Sequence, residues 1–183
     1  MSNHLTVLAG PTAVGKGTVV RYILDHFPEV VLSVSATTRS PRPGEVDGVD
    51  YFFMSHEQFD SAIAAGEMLE YATVHGNNKY GTPRKPVEAA LAAGKHVLLE
   101  IDIQGARLVK QAEPSADLIF IAPPSWDELV RRLQGRGTES SEEQAKRLET
   151  AKAELEAQGE FDHIVVNDDV ARCAHEVLDL MQA

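Results

Sequence analysis

The sequence predicts an α/β protein of three layers, in which helices cover both faces of a mostly parallel central sheet. Three observations support this prediction. Short apolar segments alternate along the chain with segments of helical period, as in strands joined by crossover helices. The first apolar segment runs into a glycine-rich loop of the P-loop type, followed by a helix. Residues 36–82 break the alternation and predict a small inserted lobe with a mixed or antiparallel sheet.

The first three elements follow from local composition. Residues 5–9 are apolar with β-branched members and stop at Gly10-Pro11, which predicts a buried strand. Residues 16–27 repeat apolar side chains at helical spacing before a proline. Residues 30–35 predict a second strand.

The insertion begins with a segment that has no period. Residues 36–50 carry two prolines, two glycines and two arginines and are predicted to form a loop. Residues 51–54 resemble a strand, and Ser55 with Gln58 predicts a capping box for the next helix. The insertion ends with two predicted antiparallel strands, residues 68–74 and 79–82.

The chain then returns to the alternating pattern. Thr82 as a cap and Pro83 at the first helical position predict a helix that Gly94 ends. Residues 96–103 predict a central strand, and residues 118–122 predict another buried strand.

The last third continues this pattern. Ser125 and Glu128 predict a second capping box and a helix to about residue 134. A charged helix over residues 141–158, a strand over 163–166 and a helix over 169–181 complete the chain.

One domain is predicted over residues 1–183. Its core covers about residues 1–35, 83–134 and 159–183, the inserted lobe covers about 36–82, and a mobile lid covers about 135–158.

Composition limits the possible partners. The 28 acidic residues outnumber the 17 basic ones and give a net charge of -11, which argues against non-specific binding to nucleic acid or an anionic membrane. Apolar stretches are too short to span a membrane, and no leader pattern opens the chain. The single cysteine, Cys173, excludes an internal disulfide. We expect a cytoplasmic monomer without nucleic-acid or membrane partners.

A phosphate-binding loop joins the first strand to the first helix. Its backbone N–H groups would surround a phosphate, and Lys16 would add a mobile positive charge. The loop departs from the strict pattern because Gly17 follows the lysine, so that the hydroxyl comes one residue later. The predicted nucleotide-binding residues are Gly10, Pro11, Thr12, Ala13, Val14, Gly15, Lys16, Gly17 and Thr18.

The insertion supplies groups that suit a second phosphorylated ligand. Arg39, Arg42 and Tyr51 offer guanidinium forks and a phenolic hydroxyl, which suit a phosphate monoester. Glu70 lies in a half-buried strand pattern, where a carboxylate needs a partner. The N1–H and N2–H₂ edge of guanine is one such partner.

These residues and their order resemble the guanylate kinase family over nearly the whole chain. Residues 35–82 carry the family's Ser-x-x-x-Arg-x-x-Arg-x-x-Glu run at Ser35, Arg39, Arg42 and Glu45, followed by its tyrosine at Tyr51. They also carry its guanine-reading glutamate at Glu70 and its Tyr-Gly-Thr at Tyr80, Gly81 and Thr82. The predicted core carries the Asp-x-Gln-Gly motif and Asn-Asp-Asp at residues 102–105 and 167–169, and the family's lid motif spans residues 132–139.

The resemblance implies transfer of the ATP γ-phosphoryl group to GMP, with Mg²⁺ accompanying ATP. Arg39, Arg42, Tyr51 and Tyr80 would hold the GMP phosphate, and Ser35 and Glu70 would read guanine. The implied binding set for GMP also includes Glu45, Thr82 and Asp102.

The same resemblance implies a lid that closes over the transferring group. Lys16, Arg39, Arg132, Arg136 and Arg147 would neutralise its charge. No residue is predicted as a direct metal ligand.

Several alternatives stay open at this point. Asp102 would orient magnesium-bound water or contact GMP, and Asn167 would touch adenine or cap a helix. The resemblance also allows a non-catalytic binding module that uses the lobe to dock proteins, or a related P-loop kinase of another small phosphorylated substrate.

Overall fold

A computed structural model describes residues 5–74, 76–134 and 141–183 of the protein, with the backbone alone for Ser141. The predicted Arg136 and the lid residues 135–140 lie outside the described residues.

A five-stranded parallel sheet forms the centre of the described chain, in the order β2-β7-β1-β8-β9. Its strands are β1 (Leu5–Ala9), β2 (Val30–Leu32), β7 (His96–Glu100), β8 (Asp117–Ala122) and β9 (His163–Val166). The predicted parallel sheet is therefore confirmed.

Apolar side chains of β1 point alternately to the two faces of this sheet, and each face meets helices. Leu8 belongs to one buried cluster with Ile23 and Val177, whereas Val7 belongs to another with Val109. Both faces are therefore buried, as the three-layer prediction requires. The helices packed on them include α1 (Lys16–His26), α3 (Arg84–Ala92), α4 (Ile103–Ala112), α5 (Trp126–Gln134), α6 (Ser141–Glu156) and α7 (Val170–Gln182).

The insertion forms a second, mixed sheet in the order β4-β3-β6-β5. Its elements are β3 (Ala36–Thr37), β4 (Phe52–Phe53), α2 (His56–Ala64), β5 (Met68–Val74) and β6 (Asn78–Pro83). The predicted capping box at Ser55 and Gln58 is present. Phe59 of α2 is fully buried in a small core of its own.

Two predicted boundaries at the ends of strands are wrong. Thr82 does not cap a helix, because it lies in β6 and pairs with Glu70 of β5, and Pro83 takes the cap position of α3. The strand predicted over residues 96–103 ends at Glu100, and α4 begins at Ile103. Asp102 causes this change because its carboxylate accepts a hydrogen bond from Gly105 N at 2.7 Å and starts the helix.

Smaller differences concern the edges of the lobe and of the last helices. Strand β2 ends at Leu32 rather than at residue 35, and the segment predicted as a loop contains β3. Helix α6 ends at Glu156, where a 3₁₀ turn (Ala157–Glu160) follows.

Candidate functional site

The phosphate loop lies between β1 and α1, and its backbone approaches its neighbours closely. A Cβ on Gly10 would lie 2.4 Å from Ile121 O, so only glycine fits there. Gly15 has a φ of 94°, and a Cβ there would meet the Asn167 side chain at 2.7 Å. The loop leads directly into the N-terminus of α1, where free N–H groups and the helix dipole favour an anion.

Lys16 lies in the first turn of α1 and reaches back over the loop. Its Nζ donates to Gly10 O at 2.9 Å. Burial lowers the pKa of Lys16, and the carboxylates of Glu100, Glu154 and Asp102 act in the opposite direction. The Lys16 ammonium is therefore buried among three carboxylates, next to the loop that would bind a phosphate.

Two side chains hold the far side of the loop through one carbonyl. Val14 O accepts from Asn167 Nδ2 at 2.9 Å and from Arg132 Nη1 at 3.1 Å. Asn167 is 4% exposed. Arg132 is also fixed through Nε, which donates to Glu128 Oε1 at 2.8 Å. In this arrangement Asn167 and Arg132 support the loop from outside.

A cavity of about 490 Å³ opens between the phosphate loop, the carboxyl ends of the central strands and the inserted lobe. Crevices at this edge are where parallel α/β sheets place their ligands. Predicted residues from all three parts line it, among them Lys16, Ser35, Arg42, Tyr51, Glu70 and Tyr80. Asp102 and Glu100 lie in the same wall.

Arg39 is oriented by Glu45 and by aromatic rings. Its Nη2 and Nη1 donate to the two Glu45 carboxylate oxygens at 2.8 and 3.0 Å, and the guanidinium lies 5.4 Å from the centre of the Tyr51 ring. Glu45 also accepts from Arg42 N at 2.7 Å. Arg39 keeps the pKa of Glu45 below its ordinary value. Glu45 therefore orders the loop that carries Arg39 and Arg42, here called the arginine loop. Arg42, Tyr51 and Tyr80 line the cavity.

Glu70 is a buried carboxylate in the cavity wall. It lies on β5 opposite Thr82 on β6, and Thr82 Oγ1 donates to Glu70 Oε1 at 2.8 Å. Burial raises the pKa of Glu70 to about 7, Thr82 opposes this rise, and Asp102 adds to it. A ligand that offers N–H donors to this carboxylate would favour its ionised form.

The family model described as Guanylate kinase matches residues 2–183. The chain belongs to the guanylate kinase family.

Relatives in this family are similar to the chain over almost all of its length. A guanylate kinase of Leifsonia xyli subsp. xyli is 67% identical over 178 residues, which cover 97% of this chain and 70% of the relative. A guanylate kinase of Nocardia farcinica is 58% identical, over 97% of this chain and 92% of the relative.

One solved structure agrees with the family assignment, and a second shows the fold alone. The crystal structure of guanylate kinase from Anaplasma phagocytophilum matches with a TM-score of 0.77 at 34% identity and covers 99% of this chain and 85% of that one. A shikimate kinase from Bacteroides thetaiotaomicron, at 11% identity and a TM-score of 0.51, shares the fold.

Helix α6 carries two charged residues, Arg147 and Glu154, on one of its faces. Arg147, which the resemblance assigns to the lid, lies half-buried on α6. Glu154, two turns further along, accepts a hydrogen bond from Thr12 N of the phosphate loop. No local pattern marks Glu154, because its partner is 142 residues away, although the seven-residue spacing from Arg147 places both on one helix face.

Among the described residues, no helix is both long and apolar enough to cross a membrane.

Proposed function

We propose that the protein is a guanylate kinase that transfers the γ-phosphoryl group of ATP to GMP, giving ADP and GDP. One observation carries this conclusion: Lys16 of the phosphate loop and the buried carboxylate Glu70 line the same cavity. A donor phosphate on the loop and a guanine at Glu70 would therefore occupy the same cavity.

The donor side of the cavity binds by charge and backbone donors. The loop from Gly10 to Thr18 would surround the ATP phosphates, and Lys16 would leave Gly10 O to contact a phosphate oxygen. Phosphoryl transfer depends on position and charge neutralisation, so Lys16, Arg132, Arg136 and Arg147 are proposed to act electrostatically, with no covalent intermediate.

The acceptor side distinguishes the base and fixes the phosphate. Ionised Glu70 would accept from N1–H and N2–H₂ of guanine, and the Ser35 hydroxyl would donate to O6. Adenine presents the reverse pattern and would leave Glu70 buried without donors. Arg42, Tyr51 and Tyr80 line the cavity, and Arg39 contacts Tyr51, so these four would hold the GMP phosphate.

The residues present fit a magnesium ion that ATP brings with it. Mg²⁺ prefers oxygen ligands and keeps several waters, so that one or two carboxylates and the substrate phosphates suffice. Glu100 and Asp102 lie in the cavity wall with Lys16, whereas the described residues form no cluster of three or more metal ligands. Glu100 and Asp102 would hold the ion, which when bound supplies positive charge to the transferring phosphate.

We further propose that the enzyme works in the cytoplasm as a monomer. Cys173 is a buried thiol whose pKa burial raises to about 11, which suits a structural cysteine in a reducing compartment. Gel filtration with light scattering tests the monomer directly.

The reaction is tested by following its products. Purified protein with ATP, Mg²⁺ and GMP is expected to form GDP and ADP in equal amounts, as resolved by ³¹P nuclear magnetic resonance. GMP binding without product formation would instead support the non-catalytic docking module. Product formation with a sugar phosphate but not with GMP would support the related P-loop kinase.

A further inference from the structure

A carboxylate of the lid helix is hydrogen bonded to the phosphate loop. Glu154 Oε2, on α6, accepts from Thr12 N at 3.1 Å. The loop is the segment that would bind the negatively charged phosphates, so a carboxylate beside it needs a physical explanation. The predicted site did not include Glu154.

Helix α6 is fixed on the side that carries Glu154. Ala151, three residues earlier, is 1% exposed and packs in the core cluster that also contains Val14 of the loop. Arg147, Ala151 and Glu154 follow the spacing i, i+4, i+7 and therefore share one face of α6. The helix face that carries Arg147 therefore also carries Glu154, whose side chain accepts the hydrogen bond from Thr12 N.

Glu154 interacts electrostatically with Lys16 of the phosphate loop. Burial raises its pKa, while the Thr12 hydrogen bond and Lys16 act in the opposite direction. The negative charge of Glu154 in turn acts to raise the pKa of Lys16. The carboxylate therefore interacts with two phosphate-loop groups, the N–H of Thr12 and the ammonium of Lys16.

We propose that Glu154 is a positioning residue for ATP: it fixes the first half of the phosphate loop through Thr12 N–H and sets the register of α6 against that loop. This inference rests on the proposed function, because the register matters only if Arg147 and Lys16 serve one transfer. The hydrogen bond joins the lid helix to the loop, so the loop keeps its binding shape and Arg147 keeps a defined distance from it.

Two substitutions and one control test this role. Glu154→Ala removes the acceptor, and Glu154→Gln keeps a neutral acceptor of the same size. Glu149→Ala is the control, because Glu149 is an exposed carboxylate on the same helix, about 140° away from Glu154 around the helix axis. ATP binding is measured by calorimetry in the absence of GMP, and KM and kcat are measured for both substrates.

The role predicts a selective effect on ATP. Glu154→Ala should weaken ATP binding and raise its KM about tenfold, since a hydrogen bond to a charged group is lost. Glu154→Gln should weaken ATP binding roughly threefold, because a neutral acceptor forms a weaker bond. The KM for GMP should stay within about twofold in both variants, and Glu149→Ala should match wild type.

Several results would overturn the inference. ATP binding by Glu154→Ala with wild-type affinity would contradict it. Tighter ATP binding by this variant would also contradict it, because Glu154 would then only repel the ATP phosphates. An equal rise in both KM values, with a lower melting temperature, would show a purely structural role. If Glu154→Ala does not fold, Glu154→Gln decides, because wild-type ATP binding and an unmoved Thr12 amide resonance would contradict the proposal. Absence of GMP turnover in the wild type would refute the proposed function, while calorimetry with ATP would still decide the role of Glu154.

Discussion

Thr82 Oγ1 donates a 2.8 Å hydrogen bond to Glu70 Oε1, and the two side chains face each other from neighbouring strands of the inserted lobe. Thr82 is fully buried and Glu70 is 8% exposed. One carboxylate oxygen is therefore fixed by the protein in a wall from which water is largely excluded. The resulting rise of the Glu70 pKa to about 7 makes base recognition depend on pH.

GMP affinity should fall as the pH falls through 7. Ionised Glu70 accepts N–H donors from guanine, and its pKa of about 7 means that protonation removes this acceptor below neutral pH. Calorimetry at pH 6, 7 and 8 with guanosine, which lacks the phosphate, should show affinity rising with pH. The Glu70→Gln variant should lose this dependence, and a flat wild-type profile would contradict the assignment.

The same group predicts a change in stability with pH. A raised folded-state pKa means that the contribution of Glu70 to stability is fully present below about pH 4.5 and is lost as the pH rises to about 7. Glu70→Gln should therefore raise the free energy of unfolding at pH 8 by roughly 3 kcal/mol relative to its effect at pH 4.5. Urea denaturation at the two pH values measures the difference. Equal effects at the two pH values would show that ionisation of Glu70 does not destabilise the folded protein.

Base selectivity should depend on Glu70 more than on other carboxylates of the lobe. Glu70→Gln should lower the ratio of kcat/KM for GMP over AMP by roughly tenfold to a thousandfold, since an amide no longer rejects adenine as a buried charge does. Glu67→Gln is the control, because Glu67 is partly exposed and pairs with Lys85 outside the cavity. An unchanged ratio in Glu70→Gln would remove the guanine-reading role.

Turnover should depend on the Lys16 ammonium. Lys16→Ala should lower kcat by roughly a hundredfold or more, which is the scale on which one electrostatic group stabilises a transition state. Circular dichroism should show a folded protein, and Lys152→Ala, an exposed lysine of α6, should keep its activity. Full turnover by Lys16→Ala would mean that the phosphate loop is not the donor site.

Asn167 should act on the phosphate loop rather than on the base of the donor. Its amide donates to Val14 O, so Asn167→Ala should weaken ATP and GTP about equally, by roughly tenfold. The ratio of KM values for the two donors distinguishes the roles. A selective loss of ATP would restore the adenine contact that the sequence left open.

Local signals predicted those elements whose causes are local. The loop glycines at Gly10 and Gly15 and the capping box at Ser55 depend on neighbours within a few residues, and these features are present. Thr82 shows the limit, because its pairing across the lobe with Glu70 overrides a helix-start pattern. Helix α4 was not predicted, since the apolar Ile101 and Ile103 extend the strand pattern and only the Asp102 cap interrupts it.

Parts of the site depend on pairs that are distant in sequence. Arg132 and Glu154 look like the solvated charges of polar helices, but the fold brings one to Val14 and the other to Thr12. Glu45 was predicted to bind substrate, and its carboxylate accepts hydrogen bonds from the arginine loop. Such roles need three-dimensional contacts, which neither period nor motif spacing contains.

The most direct test of the central claim is ADP formation by the purified protein with ATP and Mg²⁺, compared across GMP, dGMP, AMP, UMP and ribose phosphate as acceptors. A site that joins the phosphate loop to Glu70 predicts rapid ADP formation with GMP and little with AMP. Equal rates with all acceptors, or none with GMP, would contradict this account.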